Sequence, residues 1–205
     1  MFDRLETLAA TLFVASLLFI TTEPAAAQRR AMPPGVMDGP TVTLDGGLGV
    51  GLPVGDLGDA FDPGGAGDLG VGVRLNPRIS LRLDGGAEFL SLEEEVPSFA
   101  GTASDLTLWH YGATVGLDLV PPMRTPFRVT ALLGGGGTTL DFRDADRTET
   151  YPSVNGGLRF GYQVDENVKV FADGRARLAI TDEEDIGTDD VWSIPLTAGV
   201  EVAVP

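Results

Sequence analysis

The sequence predicts an all-β fold, an eight-stranded antiparallel up-and-down transmembrane β-barrel behind a cleaved N-terminal signal peptide. Three observations predict it: apolar residues recur at every second position through eight segments, the connections between those segments alternate long and short, and the chain opens on an export-type stretch. Composition leaves room for such a fold. The chain has 205 residues, of which 43% are hydrophobic and 21% charged, so it can bury a core and is not disordered by composition. It has no Cys, which excludes a disulfide scaffold and a Cys-ligated zinc or iron–sulfur centre. With 30 acidic residues against 14 basic ones and a net charge of -16, it is a poor partner for nucleic acid.

Residues Leu8 to Ile20 form a 13-residue apolar stretch broken only by Thr11 and Ser16, and Ala25, Ala26 and Ala27 follow as a small-residue cleavage site. The stretch is shorter than the roughly 20 apolar residues a spanning helix requires. Residues 1–27 are therefore expected to be a signal peptide, although Asp3 and Glu6 offset Arg4 in a region that is normally positive. Cleavage after Ala27 would start the mature chain at Gln28. Residues 28–40, with Pro33, Pro34, Gly35, Gly39 and Pro40, are expected to be a flexible lead-in, because Pro and Gly oppose both helix and sheet ladders. The barrel domain is expected over 41–205.

The eight segments are Thr41–Leu52, Asp68–Leu75, Ile79–Leu90, Leu106–Val120, Phe127–Leu140, Ser153–Val164, Val168–Ile180 and Val191–Val204. Each is close to or longer than the roughly 9–11 residues with which a tilted strand crosses a bilayer. In Ile79–Leu90 the odd positions are Ile79, Leu81, Leu83, Gly85, Ala87 and Phe89, while Arg82, Asp84 and Glu88 are even. In Val168–Ile180 the even positions are apolar or glycine, opposite Lys169, Asp173, Arg175 and Arg177. Across all eight segments fourteen ionisable residues share the polar faces: Asp45, Arg74, Arg82, Asp84, Glu88, His110, Asp118, Arg128, Arg159, Lys169, Asp173, Arg175, Arg177 and Glu201.

Alternation alone does not distinguish a soluble barrel, whose apolar face points inward, from a membrane barrel, whose apolar face meets lipid. Connections and aromatic residues discriminate better. Long gaps (53–67, 91–105, 141–152, 181–190) alternate with short ones (76–78, 121–126, 165–167), which puts four long loops at one end and three short turns at the other. Phe89, Trp109, Tyr111 and Trp192 fall on apolar faces near the long-loop end, and Phe127, Phe160 and Tyr162 near the short-turn end. Two aromatic bands mark two water–lipid boundaries.

In these features residues 41–205 resemble the eight-stranded bacterial outer-membrane barrels of the OmpA-like and OmpX-like type. The resemblance rests on pattern, and it implies residence in the outer membrane of a Gram-negative envelope more clearly than it implies a role. This sequence departs from the family pattern in ending Glu201-Val202-Ala203-Val204-Pro205, without the usual terminal aromatic residue. Pro195, inside the last segment, is expected to force a bulge by removing a ladder hydrogen bond.

An eight-stranded barrel has an interior that side chains can just fill, so no wide pore is expected. Seven polar-face cations nearly balance six anions, and buried charges need partners, so a luminal ion-pair network is expected. Polar-face glycines such as Gly47, Gly72, Gly134 and Gly161 would leave room for long side chains. The net charge then resides at the long-loop end, where 18 acidic residues from Asp56 to Asp190, Asp68 among them, face only Arg143 and Arg147. Such a surface repels polyanions and attracts cations, including divalent ions able to bridge to lipopolysaccharide phosphates.

Catalytic chemistry finds little support. Gly65-Ala66-Gly67-Asp68-Leu69-Gly70 matches a dinucleotide fingerprint in letters, but a strand is expected to follow rather than the helix that would receive the pyrophosphate. Residues 181–190 lack the oxygen-ligand spacing of a calcium loop, so no metal site is assigned. No Ser lies within five residues of His110, and alternation turns His110 into the lumen. The expectation is a monomeric, non-enzymatic surface barrel with no cofactor, contacting outer-membrane lipid and lipopolysaccharide, with a structural, adhesive or ligand-contact role. A lipid-modifying barrel enzyme and a soluble periplasmic barrel that binds an apolar ligand are the competing readings.

Overall fold

In a computed structural model, the described residues are 41–92, 105–120, 126–142, 147–181 and 190–204. The proposed signal peptide and lead-in, residues 1–40, lie outside them. Eight antiparallel strands close a barrel in chain order: β1 (Thr41–Val54), β2 (Phe61–Arg74), β3 (Ile79–Leu92), β4 (Asp105–Asp118), β5 (Phe127–Phe142), β6 (Arg147–Gln163), β7 (Val168–Ile180) and β8 (Asp190–Val204). Closure is made by β1 and β8, paired from Val42↔Val204 to Val54↔Trp192. Closure leaves no edge strand, so every strand has a ladder on both sides.

The period-2 pattern decides which way the faces point. Leu48, Leu69 and Leu133 are 78%, 73% and 73% exposed on the outside, whereas Asp45, Arg82, Arg159 and Asp173 are buried inside. A soluble barrel would invert this arrangement, so the soluble reading is set aside: the apolar surface faces lipid. Trp109, Tyr111, Phe89 and Trp192 are exposed near one rim, and Phe127 and Phe160 near the other. Within these bands Phe89 and Trp109 meet edge to face at 6.4 Å, and Phe127 and Phe160 lie 6.3 Å apart.

The two ends are built differently. At the short-turn end, Asn76 caps its own turn, its Oδ1 accepting from the amides of Arg78 and Ile79 at 2.8 Å each. Between β7 and its predecessor, Glu166 N donates to Asp165 Oδ1 at 2.6 Å. At the other end most strands run further than the alternation predicts. The expected long loop over 53–67 is largely strand: β1 continues to Val54, a five-residue helix α1 (Asp56–Ala60) follows Gly55, and β2 begins at Phe61. Gly55 has φ 64°, a left-handed conformation that favours glycine. The residues that suggested a loop, Pro63, Gly64 and Gly65, instead form an irregularity where the β2–β3 register shifts between Asp62 and Gly65. A Cβ on Gly64 would strike the Phe89 carbonyl, so the strand needs glycine for that approach.

Pro195 does not produce the expected bulge. The β1–β8 ladder passes through Gly51↔Pro195 unbroken, while the β7–β8 ladder goes from Gly174↔Leu196 directly to Arg177↔Ser193 in the same register. The missing N–H costs two ladder pairs on one side and shifts nothing.

Candidate functional site

The lumen is where this chain concentrates its buried polar groups, and it divides into zones along the barrel axis. Inward-facing positions from β1 to β8 place charged side chains from the short-turn end to mid-barrel. All fourteen residues singled out from the sequence point inward there. They form three clusters rather than one continuous network.

The first cluster lies near the short-turn end. Asp118 Oδ2 accepts from Arg74 Nη1 at 2.9 Å and from Arg128 Nη1 at 3.0 Å, while Thr130 donates to its Oδ1 at 2.6 Å. The middle cluster is the largest. Arg82 Nη2 reaches Asp45 Oδ1 at 2.5 Å and Asp68 Oδ2 at 2.8 Å. Arg159 Nη2 reaches Asp173 at 2.8 Å and Asp45 at 3.4 Å, its Nη1 reaches Glu201 at 3.5 Å, and its guanidinium stacks 4.0 Å over the Phe171 ring. Lys169 Nζ meets Glu201 at 2.6 Å. Arg175 joins Asp173 at 2.8 Å to Asp84 at 3.1 Å, and Thr114 donates to Asp84 at 2.8 Å. In the third cluster, nearer the loop end, Arg177 Nη1 lies 3.2 Å from Glu88 and 2.8 Å from His110 Nδ1, and Ser193 donates to Glu88 at 3.1 Å.

Asp68 is the charged residue that the sequence reading misplaced. Counted there with the loop-end acids, it is a buried luminal partner of Arg82. Its position on β2, two and four residues before Gly70 and Gly72 on the inward face, is the signal that places it. With Asp68 the lumen holds seven cations and seven carboxylates, so the expected small excess of positive charge disappears. Matched pairing matters in this setting, since an unpaired buried charge is far more costly than an exposed one.

Above Glu88 the inward face changes character. Leu90, Leu106, Leu108, Leu140, Phe142, Tyr151, Ala179 and Val191 are buried together with Leu57 and Ala60 of α1 and with Phe61. These side chains make an apolar plug at the loop end of the lumen, and α1 lays Leu57 onto it with no exposed surface. The sequence carries no separate signal for this plug, because its residues have the same apolar character as those that face lipid. Three small cavities lie between these groups in the lumen, of about 10, 10 and 40 Å³.

Among the described residues no group of three or more His, Cys, Asp or Glu side chains is arranged to hold a metal ion. His110 is buried in the lumen and engaged by Arg177, and the hydroxyl beside its cluster, Ser193, donates to Glu88 rather than to the imidazole. Ser91 is exposed on β3, while Ser98 and Ser104 lie outside the described residues. The glycine-rich run 65–70 lies within β2, with no helix after it. Much of the acidic loop end, residues 93–104, 143–146 and 182–189, also lies outside the described residues.

Comparison with known proteins adds the family. Residues 12–203 match the model of the outer membrane protein beta-barrel domain. Among solved structures, the chain is similar to Neisserial surface protein A, with 20% identity, a TM-score of 0.60, and coverage of 82% of this chain and 100% of that one. It is also similar to the outer membrane protein OprG from Pseudomonas aeruginosa, with 12% identity, a TM-score of 0.56, and coverage of 80% and 95%. A major outer membrane protein from Thermus thermophilus matches at 13% identity with a TM-score of 0.51, over 80% and 99% of the two chains. At these identities the likeness is one of fold. No curated protein sequence matches the chain.

Proposed function

We propose that this chain, which belongs to the outer membrane protein beta-barrel domain family, is a sealed, non-enzymatic anchor in the bacterial outer membrane that presents its loop end at the cell surface. The observation that carries this reading is the filling of the lumen. An apolar cluster fills the loop end of the lumen and paired charges occupy the stretch below it, where the cavities between the ion pairs measure about 10 to 40 Å³. A barrel built to conduct would keep a continuous aqueous lumen. What remains for function is the loop end, rich in acidic residues in the sequence. Its charge suits contact with lipopolysaccharide phosphates through divalent cations, with the barrel acting as a monomer.

The test is reconstitution of the folded protein in a planar lipid bilayer, beside surface staining of intact cells that carry a peptide tag inserted within 182–189. The expected result is no steady conductance step and full accessibility of the tag. Stable conductance steps would make the protein a pore, and an inaccessible tag would place the loop end in the periplasm. For the partner, lipopolysaccharide should co-purify with the protein in magnesium and be lost when Asp182, Glu183, Glu184 and Asp185 are changed to their amides.

A further inference from the structure

The three ion-pair clusters are separate in their direct bonds, yet cavities lie between them. The cavity of about 10 Å³ lined by Asp68, His110, Asp173, Arg175, Arg177, Pro195 and Thr197 touches both the loop-end cluster and the middle one. The larger cavity, lined among others by Asp45, Arg82, Arg159, Asp118 and Arg74, touches the middle cluster and the short-turn cluster.

His110 fixes the chemistry of the first gap. Its Nδ1 lies 2.8 Å from Arg177 Nη1, and a guanidinium can only donate, so Nδ1 accepts and the ring proton resides on Nε2. That Nε2–H finds no protein acceptor, and Asp68 Oδ1 finds no protein donor. Both residues are only 7% exposed and both line the same cavity. A buried donor and a buried acceptor left apart would each carry the full cost of desolvation.

We propose that one ordered water molecule occupies this cavity, accepting from His110 Nε2–H and donating to Asp68 Oδ1. The volume matches a single water, which fills roughly 10–15 Å³ by the same kind of measure. Two carboxylates, Asp68 and Asp173, and two guanidiniums, Arg175 and Arg177, line the cavity and balance in charge, so the wall has no net charge with which to hold a lone ion. Thr197, which also lines the cavity, offers a further hydrogen-bond partner. The bridge makes the loop-end and middle clusters one unit: Ser193 and Arg177 meet on Glu88, Arg177 meets His110, the water joins His110 to Asp68, and Asp68 meets Arg82. His110 is thereby a linker in the packing of the lumen.

The chain contains one His, so the imidazole nitrogen signals of the full-length folded barrel in detergent micelles belong to His110 without further assignment. Nitrogen-15 correlation spectra should show an unprotonated Nδ1 and a protonated Nε2, with Nε2–H cross-relaxing to a bound water. In Asp68→Leu, confirmed as folded by its gel mobility without boiling, the water cross-peak should be lost. An Nδ1–H tautomer or an imidazolium in the wild type would overturn the proposal. So would a wild-type Nε2–H without contact to water, or a cross-peak that survives in Asp68→Leu. The wild-type spectrum decides the matter even where the variant does not fold.

Discussion

The two halves of one lumen are closed by opposite physics. At the loop end, inward positions of β3 to β8 carry Leu90, Leu106, Leu108, Leu140, Phe142 and Val191, and α1 adds Leu57. Toward the short turns the same inward faces carry seven cations and seven carboxylates. Apolar closure is non-directional, so the plug requires only volume and fit. Ionic closure is directional and depends on matched numbers, since each unpartnered charge in the lumen would have to be dehydrated alone. The plug therefore fills the loop end with apolar volume, while the ion pairs tie together inward faces of strands distant in the chain. At the plug the barrel is apolar on both faces, a small core inside a lipid-facing wall.

The boundary between the two regimes runs through Glu88 and Arg177, whose pair lies beside Leu108, Ala179 and Val191. The largest expected effect is therefore at this boundary. Glu88→Leu leaves Arg177 buried without its carboxylate and should destabilise the barrel by about 3–5 kcal/mol. The double variant Glu88→Leu with Arg177→Met should recover most of that loss, because two apolar side chains would extend the plug downward. Urea titration of the folded barrel in detergent, followed by gel mobility without boiling, reads both values. A double variant as unstable as the single one would show that the plug cannot extend and that the pair is needed in place.

How much of this was legible in the sequence follows the same division. The segment Val168–Ile180 coincides with β7 because Lys169, Asp173, Arg175 and Arg177 mark one face over its whole length. Where the luminal face is itself apolar, alternation vanishes: Leu106, Leu108 and Leu140 lie inside the expected segments but as apolar residues on the nominally polar side, and Phe142 lies two residues past the expected limit of its strand. The helix α1 has five residues, too few for a 3.6-residue period to show. Asp68 was obscured by the neighbouring glycines, which suggested a loop. The fold was thus legible from charge, and the plug was hidden because its residues resemble those that face lipid.

Within the plug, Leu106 is fully buried and packs in the loop-end core. Leu106→Ala should cost about 2–5 kcal/mol, through lost burial and the cavity left behind. Its distinguishing mark is insensitivity to salt. The same urea titration at low and high sodium chloride should give the same loss, because no charge is uncovered. A loss that grew with salt would mean that the plug is coupled to the ionic clusters and is not an independent closure.

The short-turn rim supplies the smallest effect and the sharpest contrast with the buried pair. Arg128 and Arg74 share one oxygen of Asp118, and the Arg128 side chain is 20% exposed, against 10% for Arg177. Arg128→Gln leaves Asp118 with both Arg74 and Thr130, so no carboxylate is orphaned. The loss should stay under about 1 kcal/mol, the range of partly hydrated ion pairs, and should shrink further at high salt. Urea midpoints for Arg128→Gln and Glu88→Leu, measured side by side, compare a charge that water can still reach with one enclosed by the plug. Similar losses for the two would mean that the rim is as dry as mid-barrel, and the lumen would then have one ionic environment from the short turns to the plug.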